Sequence, residues 1–384
     1  MLSCQKHLFD LPDDIHYLNG AYMSPQLLVV EAIGKERLSI KNRPYLLGID
    51  DFFQSIQELK AAFAQLVNIA DPNRVAIIPS VSYGIANAAR NIQLSKGQKI
   101  ILVEEQFPSN YYTWEKLARQ NDAVLQVIKA PLENAGRTQS WNEALLQSID
   151  PQTAMVAIGN VHWADGTLFD LHRVRQKTKA VGALLIVDGT QSVGALPFDV
   201  ERIQPDALIC AGYKWLLGPY SFGMAYYGEA FDGGDPIEEN WINRLHSEDF
   251  QNLVRYQSEY RPMASRYSVG EQSNFILAPM QLTAIRQLLD WGVQHIQDYC
   301  QNLLSAPLQE LQNMGCSCAP ESLRAHHLVG IRLPGHFDLE KLKAAAQKRQ
   351  VFISFRGNAI RLSPNVYNTA EDMAAFLDCF EVFR

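Results

Sequence analysis

Short apolar runs alternate with amphipathic segments through the first two-thirds of the chain. None of these runs alternates apolar with polar positions; they are RVAIIP (74–79), KIILVE (99–104), AMVAIG (154–159), ALLIVD (183–188) and ALICA (207–211). Continuous apolar runs of this length are typical of strands buried on both faces of a sheet. The segments between them, such as LHRVRQKTKAVG (171–182), have helical periodicity. The repetition predicts an α/β fold with a large, mostly parallel sheet and helices on both faces.

The pattern changes after about residue 240. A long helical stretch at 278–315 leads into the strand-like segments HLVGIRLP (327–334) and VFISFRGNAIRLS (351–363). The chain ends with TAEDMAAFLDCFEVF, in which Thr369 and Asp372 match the signature of a helix start. We therefore predict a large α/β domain over 20–245. A smaller α+β domain would combine the N-terminal segment 1–19 with 246–384.

Composition excludes several classes of function. The 384 residues are 47% hydrophobic and 20% charged, as in globular proteins. A formal net charge of −7 argues against nucleic acid or an anionic membrane as the main partner. The N-terminus lacks the apolar core of a signal peptide, and no apolar run approaches membrane-spanning length. The six scattered cysteines include no zinc-binding pattern, so we expect free thiols, a cytoplasmic location and no metal.

Two serines follow the first predicted strand, at the point where a helix begins. In SVSYGIANAAR, Ser80 and Ser82 stand at this helix start. Free backbone N–H groups and the helix dipole favour an anion there, and the two hydroxyls add donors. Ordinary N-capping by serine explains the same pattern.

An acid, a lysine and an aromatic residue stand at the ends of other predicted strands. Asp188 follows ALLIV directly, so its carboxylate is expected to be partly buried and to need a partner. Lys214, in CAGYKWLLGP, comes one crossover and one strand later, so both side chains can face one crevice at the carboxyl edge of the sheet. Phe107, in EEQFPSN, would lie over the same crevice. A plain buried ion pair, or a lysine whose stem covers apolar surface, stays open.

Together these four features match the demands of pyridoxal 5′-phosphate. The serine turn would hold the phosphate, Phe107 would cover the ring, and Asp188 would keep the pyridine nitrogen protonated, which makes the ring an electron sink. Desolvation would lower the pKa of Lys214, so that its neutral amine can bond to the aldehyde as a Schiff base. Lys214 and Asp188 are therefore the predicted catalytic residues.

The chain resembles the class V aminotransferase family of pyridoxal-phosphate enzymes, which includes cysteine desulfurases, kynureninase and isopenicillin N epimerase. The resemblance covers nearly the whole chain, through the ordered motifs YLNGAYMSP, SVSYGIANAA, EEQFPSN, VDGTQSVGALPFDV, AGYKWLLGPYSFG and IRLSPNVYNTAEDM. It implies a fold-type-I transferase that acts at the α-carbon of a small-molecule amino-acid substrate. It also implies a homodimer with sites at the subunit interface.

The resemblance assigns further residues to the cofactor. Gln191 would donate to the phenolic oxygen of the ring. Phe107 falls where desulfurases stack a histidine, and Tyr213 falls at the position before the lysine. The residues implied to contact the phosphate are Ser80, Val81, Ser82 and Tyr213, with Ser273 or Gln272 contributed by the partner subunit. Simple turn formation at 272–273 is the alternative.

The resemblance also implies how the substrate is held. Arg361 matches the arginine that binds the substrate carboxylate, and Asn19 and His162 are predicted to contact the substrate. Desulfurases carry a catalytic cysteine shortly before that arginine, but FRGNAIR contains none, so persulfide chemistry is not expected.

The reaction itself stays open at this level. Transamination, elimination and epimerisation all begin from the same chemistry at the α-carbon. The alternatives to an aminotransferase, lyase or epimerase are a kynureninase-like hydrolase or lyase, and a non-catalytic regulatory protein that binds pyridoxal phosphate. A nicotinamide-dependent dehydrogenase is disfavoured because no Gly-x-Gly-x-x-Gly turn follows any predicted strand.

Overall fold

The structure is a computed structural model, and it describes residues 2–131, 136–356 and 359–383. The strands of these ranges are β1 (His16–Tyr17), β2 (Val75–Ile78), β3 (Lys99–Val103), β4 (Val124–Ile128), β5 (Thr153–Gly159), β6 (Leu184–Asp188), β7 (Ala207–Ala211), β8 (Gly223–Tyr227), β9 (Val329–Arg332), β10 (Val351–Phe352), β11 (Ser354–Arg356) and β12 (Ala359–Leu362). The α-helices are α1 (Leu28–Leu38), α2 (Ile49–Leu66), α3 (Val81–Arg90), α4 (Tyr112–Gln120), α5 (Arg137–Ser148), α6 (Leu171–Val181), α7 (Val200–Ile203), α8 (Leu277–Trp291), α9 (Val293–Asn313), α10 (Leu339–Lys348) and α11 (Ala370–Asp378).

A seven-stranded sheet forms the centre of the fold, with the strand order β2-β8-β7-β6-β5-β3-β4. All pairs are parallel except those of β8, which runs antiparallel to both β2 and β7. The five strands predicted from apolar runs are all present, which confirms the α/β fold class. The carboxyl ends of β2, β3, β5, β6 and β7 consequently lie at one edge of the sheet.

Both faces of this sheet are buried, which explains why the apolar runs are continuous. Successive residues of a strand point to opposite faces. In β5, Val156 and Ile158 belong to one core cluster, whereas Met155 and Ala157 belong to the other. Helices α2, α5 and α8 pack on the first side, and α3 and α4 pack on the second.

Two strands of this sheet escaped the sequence pattern. The edge strand β4 has an exposed Val124 and only partly buried residues before Ile128, so its apolar signal is weak. The strand β8 begins at Gly223, whose position beside the Cys210 carbonyl leaves no room for a side chain: an added Cβ would lie 2.6 Å from that oxygen. Glycine is depleted in strands, so local propensity does not indicate one here.

The C-terminal part contains a three-stranded antiparallel sheet, β11-β12-β9. The N-terminal strand β1 pairs in parallel with β10, so the two ends of the chain meet. The single long helix predicted at 278–315 is in fact two helices, because Gly292 takes a positive φ of 75° between them. The helix start predicted from Thr369 and Asp372 is confirmed, since Thr369 is the N-cap of α11 and its N–H donates to Asp372 Oδ2 at 2.9 Å. The division into two domains stays a prediction.

Within the described residues, no helix combines the length and apolar character needed to cross a membrane.

Candidate active site

A cavity of about 310 Å³ opens at the carboxyl edge of the large sheet. Its walls come from the turns that follow β2, β3, β5, β6 and β7. The sequence-predicted residues that line it are Ser80, Val81, Ser82, Phe107, His162, Asp188, Gln191, Tyr213 and Lys214. Residues as far apart in the chain as Ser80 and Lys214 thus line one pocket, whereas Asn19, Ser273 and Arg361 are not among its lining residues.

One end of the cavity is the N-terminus of α3. Ser80 is the N-cap: its Oγ accepts a hydrogen bond from the Tyr83 N–H at 3.2 Å. The hydroxyls of Ser80 and Ser82 lie 3.0 Å apart. The capping interpretation is therefore correct, and it leaves the N–H groups of the first helical turn directed at the cavity, as an anion requires.

Asp188 is the last residue of β6 and is partly buried. Burial raises the pKa of its carboxyl. Hydrogen bonds from Thr190 and the charge of Lys214 lower this pKa, but the effect of burial is larger. Its Oδ1 accepts from the Thr190 N–H at 3.0 Å. Within the described residues, no lysine, arginine or histidine nitrogen forms an ion pair with it, so the carboxylate can accept a cationic group in the cavity.

Lys214 faces Asp188 from the turn after β7. Only 7% of the residue is exposed, and burial lowers the pKa of its amine to about 8, helped by the charges of Arg361 and Arg356. The charge of Asp188 acts in the opposite direction. Its Nζ lies 5.5 Å from the centre of the Phe107 ring. A larger fraction of this amine than of an ordinary lysine is neutral near pH 7, which is the form that attacks a carbonyl.

Gln191 is held by both ends of its side-chain amide. Its Nε2 donates to the Ala21 carbonyl at 3.0 Å, and its Oε1 accepts from the Trp215 indole N–H at 2.9 Å. The buried ring of His327 donates to the main-chain oxygen of Gln191 at 2.7 Å. The second N–H of the amide thereby has a fixed direction beside the cavity.

His162 lies in the wall, but both of its ring nitrogens already have partners. Nδ1 is 3.2 Å from Asp165 Oδ1, and Nε2 is 3.2 Å from the Glu104 carbonyl. Nearby hydrogen bonds hold the pKa of the Asp165 carboxyl well below its usual range, despite burial. A hydrogen bond from His162 to a substrate would break one of these contacts. The predicted role of His162 in substrate binding remains untested.

Arg361 lies behind the cavity wall and forms hydrogen bonds with residues of the wall and of β11. Its Nη1 donates to the Trp163 carbonyl at 2.8 Å, and its Nη2 donates to Ser354 Oγ at 3.3 Å. Ser354 in turn donates to Asn19 Oδ1 at 2.8 Å. Arg361 is only 1% exposed, and burial lowers its pKa to about 10. The two predicted substrate residues Asn19 and Arg361 are therefore linked through Ser354.

Ser273 lies outside the cavity of its own chain. Its Oγ is buried and, within the described residues, has no hydrogen-bond partner. The neighbouring Gln272 donates to Asn243 Oδ1 at 3.1 Å. The prediction that Ser273 reaches a cofactor across a subunit interface stays a prediction.

Sequence reasoning missed two polar residues of the cavity, Gln106 and Thr190. Gln106 donates to the Asn110 carbonyl at 2.6 Å, and its buried Oε1 has no partner among the described residues. Trp163, the alternative to His162 as a neighbour of the cofactor ring, packs its ring edge-on to Phe107 at 5.4 Å. Thr190 orients Asp188 through its N–H. Both missed residues stand within two residues of a position that the motifs pointed to, which is the signal that would have found them.

The cavity fits a flat, anionic cofactor with a basic ring nitrogen and an aldehyde. The N-terminus of α3 suits a phosphate, the unpaired carboxylate of Asp188 suits a protonated ring nitrogen, and the buried amine of Lys214 suits the aldehyde. The described residues form no group of three or more histidines, cysteines or acids arranged for a metal ion.

Comparison with known proteins agrees with this geometry. The family model "Aminotransferase class-V" matches residues 48–376. An uncharacterized aminotransferase, YcbU of Bacillus subtilis, is 27% identical over 322 residues, which cover 82% of this chain and 80% of that protein. The isopenicillin N epimerase of Streptomyces clavuligerus is 23% identical over 354 residues, which cover 84% of this chain and 83% of the epimerase.

Solved structures share the fold. The cysteine desulfurase CsdA of Escherichia coli superposes with a TM-score of 0.80 at 18% identity, covering 98% of this chain and 96% of CsdA. A mutant of C-DES, with glycine covalently linked to its PLP cofactor, has a TM-score of 0.82 at 17% identity, covering 97% of this chain and 98% of C-DES.

Proposed function

Starting from the fact that this chain belongs to the class V aminotransferase family, we propose that Lys214 moves the α-proton of an amino acid and that the reaction is a transamination. The fold is that of the fold-type-I enzymes, and the protein is a pyridoxal-phosphate-dependent enzyme that acts on amino acids. When bound, the cofactor supplies an electron sink for the α-carbon of the substrate.

Different residues of the cavity bind the phosphate, the ring and the aldehyde of the cofactor. Ser80 and Ser82, with the first N–H groups of α3, bind the phosphate. Asp188 would hold a proton on the ring nitrogen, and Phe107 would contribute an aromatic wall beside the ring. Lys214 would hold the cofactor through its amine and would serve as the base for the α-proton of the substrate.

One observation supports Lys214 as the single base. Lys214 lines the described cavity with a buried amine whose pKa is lowered to about 8, while the two nitrogens of His162 face the Asp165 carboxylate and the Glu104 carbonyl instead of the cavity. Phe107 and Trp163 contribute apolar rings to the wall near Lys214. Epimerisation by two bases would need a second proton-transferring group. Phe107 and Trp163 offer none, and burial raises the pKa of the Tyr213 hydroxyl in the cavity wall, which disfavours it as a base.

The binding of the substrate carboxylate to Arg361 is part of this proposal. The guanidinium is buried, and its Nε has no partner among the described residues. An arginine in that state favours a bidentate anion. Asn19 acts through Ser354, which it helps to hold beside Arg361.

The proposal includes a homodimer in the cytoplasm. Large apolar side chains stay exposed on the isolated chain, including Tyr256, Val254, Tyr45 and Leu46, and a partner subunit would cover such surface. The buried and unpaired Ser273 Oγ supports a composite site. The six cysteines are all free, which favours a reducing compartment. Light scattering that finds an active monomer would disprove the dimer.

The test of the proposed reaction uses the holoenzyme in D₂O with a panel of L- and D-amino acids and a 2-oxo acid acceptor. We expect the α-proton of one amino acid to exchange, and the matching oxo acid to form, without racemisation. Lys214→Ala should abolish both signals. Lys129→Ala is the matched control, because that lysine is paired with Glu104 on the surface.

Other products would identify other reactions. A racemised amino acid would indicate an epimerase, and ammonia release would indicate a lyase. Cleavage of an aromatic β-ketone side chain would indicate a kynureninase-like hydrolase. Bound cofactor without exchange for any amino acid would identify a regulatory protein and overturn the proposed function.

A further inference from the structure

Two arginines lie against Trp163 in the wall of the active site. The guanidinium carbon of Arg356 is 5.2 Å from the centre of the Trp163 ring, and Arg361 donates to the Trp163 carbonyl at 2.8 Å. Arg356 also donates from Nη1 to the Phe355 carbonyl at 2.7 Å. The Nε atoms of both arginines are buried and have no partner among the described residues. Nor does any acid of the described ranges lie within ion-pair distance of either guanidinium.

Positive charge therefore accumulates behind the Trp163 wall of the cavity, although neither arginine is among the residues that line it. The charge of Arg356 lowers the pKa of both Lys214 and Arg361, so Arg356 is close enough to act on the two groups that meet the substrate. Asp188 is the one carboxylate among the described lining residues, and the ring nitrogen uses it. A guanidinium keeps its charge at any ordinary pH, and a partly desolvated charge is costly until an anion pairs with it.

A substrate with one carboxylate would pair with one of these arginines and leave the other unpaired. We propose that the enzyme takes an amino acid whose side chain ends in a second carboxylate. Arg361 would bind the α-carboxylate, and Arg356, positioned over the Trp163 ring, would bind the side-chain carboxylate and determine specificity. This inference rests on the proposed function, because it assigns Arg361 to the α-carboxylate of an amino acid.

The test measures binding without turnover. Succinate, glutarate and the monocarboxylate butyrate are titrated into the holoenzyme by calorimetry. We expect the better dicarboxylate to bind about 10- to 100-fold more tightly than butyrate. This factor corresponds to the free energy that one hydrogen bond to a charged group contributes. Arg356→Gln should remove this advantage and leave butyrate binding within about 3-fold of the wild type, because one charge-assisted contact is lost. Arg361→Gln should weaken all three ligands.

Two further variants serve as controls for the role of Arg356. Arg356→Lys keeps the charge and should retain most of the preference, even if Arg356→Gln folds poorly. Arg349→Gln is the matched control, because Arg349 pairs with Glu381 at the surface, and it should leave all affinities unchanged.

The outcomes separate this inference from the proposed function. If the wild-type holoenzyme binds butyrate and both dicarboxylates equally, or if Arg356→Gln keeps the preference, the role of Arg356 is wrong while α-proton exchange can still occur. If the protein shows no visible cofactor absorption and no α-proton exchange, the proposed function fails and this inference fails with it. Retained exchange, with glutamate or aspartate preferred over glutamine or asparagine and the preference lost in Arg356→Gln, supports both.

Discussion

The amine of Lys214 lies 5.5 Å from the centre of the Phe107 ring, although 106 residues separate the two positions in the chain. The contact places a cation-forming group against an aromatic face in a cavity whose wall also includes Tyr213 and Trp163. Burial disfavours the charged form of the amine, and Phe107 together with Asp188 partly restores it. The reactivity of Lys214 is set by this balance.

The first prediction concerns the pH dependence of cofactor attachment. Because the pKa of Lys214 is lowered to about 8, the rate at which the cofactor-free protein binds the aldehyde covalently should rise with pH and level off above about 8. With an ordinary lysine, this rate would keep rising with pH up to roughly pH 10.4. Asp188→Asn removes a charge that raises this pKa, so its midpoint should lie lower. Stopped-flow absorbance from pH 6 to 10 measures the attachment rate of the wild type and of Asp188→Asn. A wild-type rate whose pH midpoint lies near 10 would contradict the prediction.

The second prediction separates electron-sink chemistry from binding. Asp188→Asn should retain the cofactor, because the helix N-terminus and Lys214 still hold it, but it should lose the protonated ring nitrogen. Turnover should fall by about 100-fold or more while KM changes little, since the lost interaction strengthens as charge develops on the α-carbon. Steady-state kinetics with the substrate found in D₂O gives both values. Equal kcat in the variant and the wild type would exclude the role of Asp188.

The third prediction tests Ser354 as a positioning residue. Its Oγ accepts from Arg361 at 3.3 Å and donates to Asn19 at 2.8 Å. Ser354→Ala leaves both groups without this partner, so the substrate KM should rise by about 10-fold, which is the loss of one charge-assisted hydrogen bond. The visible spectrum of the substrate-free holoenzyme should not change. Ser354→Thr, which keeps the hydroxyl, should recover much of the affinity; failure of this rescue would point to packing instead.

The fourth prediction concerns a buried lysine away from the active site. Lys60 in α2 donates to Ser265 Oγ at 3.2 Å, and burial lowers the pKa of its amine to about 7, with a contribution from the charge of Arg261. Between pH 7 and 10.5 the unfolded chain binds the proton that the folded protein releases. Stability should therefore rise with pH across this window, by up to about 1.4 kcal/mol per pH unit from this group.

Lys60→Met should remove that slope and raise the melting temperature most at pH 6–7, where the buried amine is charged in the wild type. Melting curves from pH 6 to 10 measure the difference. Lys348→Met, at an exposed position of α10, serves as the control. If both variants follow the wild-type pH dependence, Lys60 does not titrate as the structure indicates.

The fifth prediction concerns sulfur chemistry. None of the six cysteines is among the residues that line the described cavity, and Cys210, behind Asp188, is fully buried with its pKa raised well above that of a free thiol. Sulfide release from cysteine should therefore be negligible beside the D₂O exchange rate for the preferred amino acid. Rapid sulfide formation that is lost in Cys318→Ala, the variant of a partly exposed thiol, would show otherwise.

Local patterns in the sequence determined the main strands of the sheet and several residues of the candidate active site. The burial of both sheet faces fixes the continuous apolar runs, and parallel strands bring their carboxyl ends to one edge, so Ser80, Phe107, Asp188 and Lys214 were predictable as neighbours. The helix start at Thr369 was predictable for the same reason, because the hydrogen bond from the Thr369 N–H to Asp372 joins residues three apart.

Tertiary structure alone decided the contacts between distant elements. Arg361 meets Trp163 across 198 residues, and Ser354 meets Asn19 across 335. It also decided that both nitrogens of His162 are occupied, and that β4 and β8 complete the sheet. Periodicity reports only which side of its own element a residue faces. Which groups lie beyond that face depends on how the elements pack, and for Arg356 and Arg361 this packing leaves two cations without an acid among the described residues.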